Sequence, residues 1–134
     1  MPRLHFVLLI GLTVCLTCLS CRHKSHLHER IVAADTSKYC HLPDACFNPH
    51  VLAVENGYDV TTFLGSQPQH AHVSSRDLAE YLESLPMEVW PRGALIAISP
   101  TDDVTDQRAL ARNFYAAQQT CRSLGLAVQV LPGG

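Results

Sequence analysis

The chain has 134 residues, with 10 Lys and Arg against 12 Asp and Glu and a formal charge of −2 when histidines are neutral. That length holds one small domain and one core. The charges are scattered and the only basic cluster, Arg22 to Arg30, precedes the part that folds, so a nucleic-acid binder of the usual electrostatic kind is excluded.

Leu4 to Leu19 is an apolar run behind Arg3 that ends in Ser20 and gives way to the polar stretch Cys21-Arg22-His23-Lys24-Ser25-His26. This is the layout of a signal peptide over residues 1–20, with Cys18 and Ser20 at the two small-residue positions of the cleavage site. An uncleaved anchor is the alternative, but the run falls short of the roughly 20 apolar residues that a spanning helix needs. The chain is therefore expected to be secreted and extracellular, with no membrane span once the leader is removed. Residues 21–38 are polar and aperiodic and read as a flexible tether, and the domain is expected over 39–134.

From Val51 the pattern changes. Two β-branched runs flank Asn56-Gly57, which reads as a hairpin with its turn at those two residues. Gly65 to Val73 contains Pro68 and polar residues and is expected to be a loop. Ser74 or Ser75 then caps a helix whose apolar residues Leu78, Tyr81, Leu82 and Leu85 recur at helical spacing, and Pro86 ends it. After a second loop over Met87 to Gly93, the continuously apolar run Ala94 to Ser99 predicts a strand covered on both faces. Thr105 or Asp106 caps a longer helix to Leu124 with a buried stripe of Leu110, Phe114, Ala117, Cys121 and Leu124, and Gly125 stops it. Leu126 to Leu131 closes with another strand. The fold class is α/β: a small mixed sheet with an N-terminal β-hairpin, a right-handed strand-helix-strand unit and two main helices packed on the sheet.

Two parts of this arrangement resemble the secreted cytokine-like proteins of the ILEI/PANDER domain family (interleukin-like EMT inducer and pancreatic-derived factor). Lys38-Tyr39-Cys40 followed by Cys46 is similar to the Lys-Tyr-x-Cys entry of that family, one residue shorter before Cys40. From the Asn-Gly hairpin through the Leu78 to Leu85 helix, the Gly93-Ala94-Leu95-Ile96 strand, Asp102-Asp103 and the helix ending in Leu124-Gly125, the order of elements is also similar. The resemblance implies a cytokine-like fold and signalling through a cell-surface protein receptor. The glycine-rich stretch and additional cysteine of the family are missing here, and the sequence ends at Pro132-Gly133-Gly134 before its C-terminal strands. The family's disulfide pairing therefore does not transfer.

Asp102 and Asp103, with Asp106, are the most site-like cluster, because carboxylates at a strand end beside a helix N-terminus either bind a polar or cationic ligand or stabilise the helix itself. Trp90, in a loop flanked by prolines, either anchors a partner or lids the core. Without the leader four cysteines remain, Cys21, Cys40, Cys46 and Cys121, and an oxidising compartment favours tying Cys40 or Cys46 to Cys121. A buried thiol is the alternative for Cys121. The histidines, including His23, His26, His28, His70 and His72, lack the ordered frame of a closed zinc site, so no metal and no cofactor are expected. No motif for a nucleophile, base and orienting group is present, and no enzymatic activity is expected. The expected function is a secreted, non-enzymatic cytokine-like signalling or recognition protein, with a carbohydrate-binding accessory module as the alternative and a protein receptor or glycan as partner.

Overall fold

The computed structural model describes residues 27–34 and 47–133. The expected leader, Cys21, Cys40 and Cys46 lie outside the described residues. Within the stretch expected to be a tether, the short helix α1 (Leu27–Arg30) packs Leu27 into the core, and Ile31, which follows it, does the same. The Arg30 guanidinium donates to the Glu83 carbonyl at 2.6 Å, and the Ala94 amide donates to the Val32 carbonyl at 2.8 Å. This part of the segment is thus held against the domain.

The protein is mixed α/β. Five strands, β1 (His50–Val54), β2 (Gly57–Leu64), β3 (Gln67–Val73), β4 (Leu95–Pro100) and β5 (Ala127–Val130), form one sheet in the order β3-β2-β1-β4-β5. β1, β2 and β3 form an antiparallel meander, while β4 runs parallel to both β1 and β5. Two helices, α2 (Leu78–Ser84) and α3 (Gln107–Ser123), pack against the sheet and each other, and a 3-10 turn at Met87–Val89 packs on β2.

Alternation along each strand sorts the side chains between two faces. Val51, Ala53, Tyr58, Val60, Val73, Ile96 and Ile98 point to the helices and join Leu78, Leu82, Ala117 and Cys121 in one core. β4 is buried almost throughout, as its unbroken apolar run requires. The strand-helix-strand unit β4-α3-β5 gives the expected parallel pair.

Three local readings are corrected. The register pairs Val54 with Gly57, so the first turn is Glu55-Asn56 rather than Asn56-Gly57. Neither turn residue has positive φ, so a type I′ turn is not formed. Gly57 instead opens β2 at φ 149°, where a Cβ would lie 2.5 Å from the Val73 carbonyl oxygen. Close approach to β3, not turn chemistry, sets the requirement for glycine there.

Gly65 to Val73 is not a loop. Gly65-Ser66 makes a second two-residue turn and Gln67–Val73 is edge strand β3, with Leu64 opposite Gln67 and Phe63 opposite Pro68. In a two-residue hairpin the pair beside the turn exchanges hydrogen bonds and the next pair does not. The missing N–H of Pro68 therefore falls on the open edge, where proline is tolerated. Finally, α2 starts later than Ser74 or Ser75: Asp77 is its N-cap, and Ser74 donates its hydroxyl to the Asp77 carboxylate at 2.6 Å.

Candidate recognition surface

The expected site residues part company in space. Trp90 is in the core, 4% exposed, so it serves as a lid and not as a surface anchor. A small domain gains more from burying its largest apolar group than from displaying it. Its indole Nε1 has no hydrogen-bond partner. Cys121 is wholly buried on the inner stripe of α3 and has no disulfide partner among the described residues. Burial pushes its pKa up to about 12 against a smaller lowering by Arg122, so it stays protonated and unreactive. The expected partners Cys40 and Cys46 lie outside the described residues.

Asp102 and Asp103 sit at the C-terminal edge of β4, both exposed. Asp102 lines an open cavity of about 330 Å³ with Thr101, Gln107 and Leu110, while Asp103 does not. The backbone of Gly133 packs so closely on the Asp102 carboxylate that a Cβ there would collide with it. The third acid, Asp106, is the N-cap of α3 and accepts from the Arg108 and Ala109 amides, both at 3.0 Å.

A residue that sequence reading passed over completes this helix end. Glu55, in the first hairpin turn, accepts from the Asp106 amide at 2.5 Å and from the Thr105 amide and hydroxyl. These donors hold its carboxyl below the ordinary value, the Asp106 amide first and the Thr105 hydroxyl and amide next. The amides that would face an incoming anion are thus already engaged by Glu55 and Asp106. Asn113 joins the same corner from α3, donating to the Val54 and Glu55 carbonyls at 2.8 and 3.0 Å. Glu55 and Asp106 in this way form a junction between hairpin and helix, and Asp102 and Asp103 stand outside it. Only spatial pairing across 50 residues connects Glu55 to Thr105, and no local pattern carries that signal.

The sheet face turned away from α2 and α3 has a different character. Asp59, Thr61 and Phe63 of β2, His70 and His72 of β3, and His50, Leu52 and Ser99 further in all point to it. The register runs His70, Thr61, His50, Ala97 and Gln129 in one row across all five strands. His72 Nδ1 lies 2.7 Å from Asp59 Oδ1, and His70 Nδ1 lies 3.1 Å from Thr61 Oγ1. Phe47 stands edge-on to Phe63, with centroids 6.0 Å apart and planes at 66°, and is half-exposed.

Where β3 hands over to α2, His72, Ser74, Asp77, Glu80 and Tyr81 line an open cavity of about 370 Å³. Burial pushes the Tyr81 hydroxyl upward, so the phenol stays neutral.

Among the described residues a histidine ring meets a serine hydroxyl at His50 Nε2 and Ser99 Oγ, 2.8 Å apart. Ser99 is buried and burial lowers the pKa of His50, which fits a packed polar pair better than a nucleophile open to substrate. His72 has its carboxylate in Asp59, but the neighbouring hydroxyls of Ser74 and Ser84 are donated to Asp77 and to the Tyr81 carbonyl. Among the described residues no three His, Cys, Asp or Glu side chains form a metal cage, and no helix is long and apolar enough to cross a membrane.

No family model, no curated protein and no solved structure matches this chain.

Proposed function

We propose that the protein is a secreted, non-enzymatic recognition domain of cytokine-like type that acts through its surface on a cell-surface protein receptor. The carrying observation is the open end of the sheet: helices cover one face, and on the other, where the β4 residues are buried, the β2-β3 end presents Asp59, Thr61, Phe63, His70 and His72. Mixed polar and aromatic groups on a rigid sheet suit partner recognition, in which a few anchors supply most of the binding free energy. The sequence resemblance to the ILEI/PANDER family and the leader-like run Leu4 to Leu19 support the signalling and secretion parts of this reading.

The test is binding of the secreted protein to receptor-bearing cells. Thr61→Arg, which places a long cation among the exposed groups of the β2-β3 end, is expected to abolish saturable binding. Tyr115→Ala, on an exposed position of α3, is expected to leave it intact. Equal binding by both variants defeats the proposal. The intact mass of the secreted product checks leader removal independently.

A glycan-binding module is the second reading, favoured by one observation. With Trp90 buried, the half-exposed Phe47 against Phe63 is the aromatic pair available to stack on a sugar ring. Saturable binding on a glycan array, lost in Phe47→Ala, would select it over a protein receptor.

A further inference from the structure

We propose that His70 and His72 form a two-imidazole chelate for a divalent transition-metal ion, Cu(II) foremost, on the uncovered face of β3. As a loop, this segment would give two mobile imidazoles. As a strand it gives an ordered pair, because alternate residues share a face with Cα atoms about 6.8 Å apart.

Both rings are held from β2. Asp59 can only accept, so in the neutral ring of His72 the proton sits on Nδ1 and the lone pair on Nε2. An imidazole whose second nitrogen donates to a carboxylate is the arrangement that orients metal-ligating histidines and raises their basicity. Thr61 can accept from His70 Nδ1 and leave its Nε2 in the same ligating form.

The ligand atoms are accessible. His72 Nε2 lies 3.3 Å from where a Cβ of Gly57 would stand, so the lack of a side chain there leaves room beside it. Both histidines are exposed at alternate positions of one strand, the placement from which two imidazoles reach one ion once His72 turns from its present orientation toward Gly57. His50 faces the same way from β1, but its Nε2 is engaged by Ser99 and it adds no third ligand. With two protein ligands the remaining positions are filled by water, an open site and not a structural cage. Imidazole suits copper, nickel and zinc, and the Irving–Williams order places Cu(II) above the others.

The experiment is a Cu(II) titration of the full chain followed by paramagnetic broadening of assigned resonances. Broadening is expected to centre on His70 and His72 and to spread to Asp59 and Thr61. His70→Ala and His72→Ala should each lower Cu(II) affinity at this position at least tenfold, since a chelate needs both rings. Asp59→Asn should shift His72 from the Nδ1–H tautomer in imidazole ¹⁵N spectra and weaken binding about tenfold, the lower end of effects for such supporting groups. Acidification should release the ion as protons compete for the nitrogens. Broadening confined to His23, His26 and His28, with β3 unaffected, overturns the proposal. So does a β3 signal that survives either alanine variant in a protein whose amide spectrum is otherwise unchanged.

Discussion

The two faces of one sheet follow different rules here. Toward the helices, the strands contribute Val51, Ala53, Tyr58, Val60, Ile96 and Ile98, all buried, with buried Thr62 beside them and the Tyr58 hydroxyl donated to the Asn113 carbonyl at 3.1 Å. On the other face at β2 and β3 the same strands carry Asp59, Thr61, His70 and His72, paired across the strands by side-chain hydrogen bonds. The first face is held by area removed from water, which is non-directional and large. The second contributes little to stability, because exposed polar pairs are screened and solvated. A sheet built this way can vary its outer face without losing its fold, which is the property a recognition surface needs.

The largest effect that would break this comparison is Ile98→Ala. Ile98 is fully buried between Val51 and Val130 in the sheet register. Its truncation should cost about 2 to 5 kcal/mol of unfolding free energy in denaturant titrations. A cost below about 1 kcal/mol would mean that the helix-side core is looser than its burial implies.

Asn48→Ala comes next. Asn48 is wholly buried and donates to the Gly93 and Leu95 carbonyls at 3.0 and 2.7 Å, while its Oδ1 accepts from the Arg92 amide at 2.8 Å. The substitution removes a partner from three backbone groups; the Gly93 carbonyl keeps the Leu95 amide, and each group left unpaired where water cannot reach costs about 1 to 3 kcal/mol. Unfolding curves should therefore move nearly as far as for Ile98→Ala, although no apolar contact of note is lost. At the α3 end, Asp106→Ala removes an N-cap and should cost about 1 kcal/mol. Asp103→Ala, three residues earlier and not a cap, should stay within about 0.5 kcal/mol. Similar losses for the two would remove the distinction between capping acid and bystander.

What sequence could and could not show follows the same division. The apolar run Ala94 to Ser99 and the stripe Leu110, Ala117, Cys121 and Leu124 were legible because burial imposes a period on one segment at a time. Asp106 was legible as a cap because capping is local. β3 was not, since Pro68 and a polar composition read as a loop, and only its pairing with β2 at an open edge makes it a strand. Trp90 could be anchor or lid on sequence alone, and the choice depends on which elements close over it. Glu55, Asn48 and Asn113 act on backbone groups about 45 to 60 residues away, so nothing in their neighbourhoods marks them.

The smallest expected effect, a slope in stability against pH, separates two polar junctions by the pH at which each fails. His50 has its pKa lowered by burial from 6.5, so the folded protein binds fewer protons there than the unfolded chain. Stability tied to it is present above 6.5 and is lost as pH falls through the lowered folded value. Glu55 is depressed below 4.5 by the Asp106 and Thr105 donors, so its share is complete above 4.5 and disappears only on further acidification. The unfolding free energy should therefore decline in two windows, one opening below 6.5 and the other below 4.5. His50→Asn should flatten the first alone. Glu55→Gln, which keeps an acceptor for the helix amides but has no proton to gain, should flatten the second alone. If Glu55→Gln leaves the acid limb unchanged, the carboxylate does not hold the hairpin to α3 in solution, and the helix end is free to take an anion from outside.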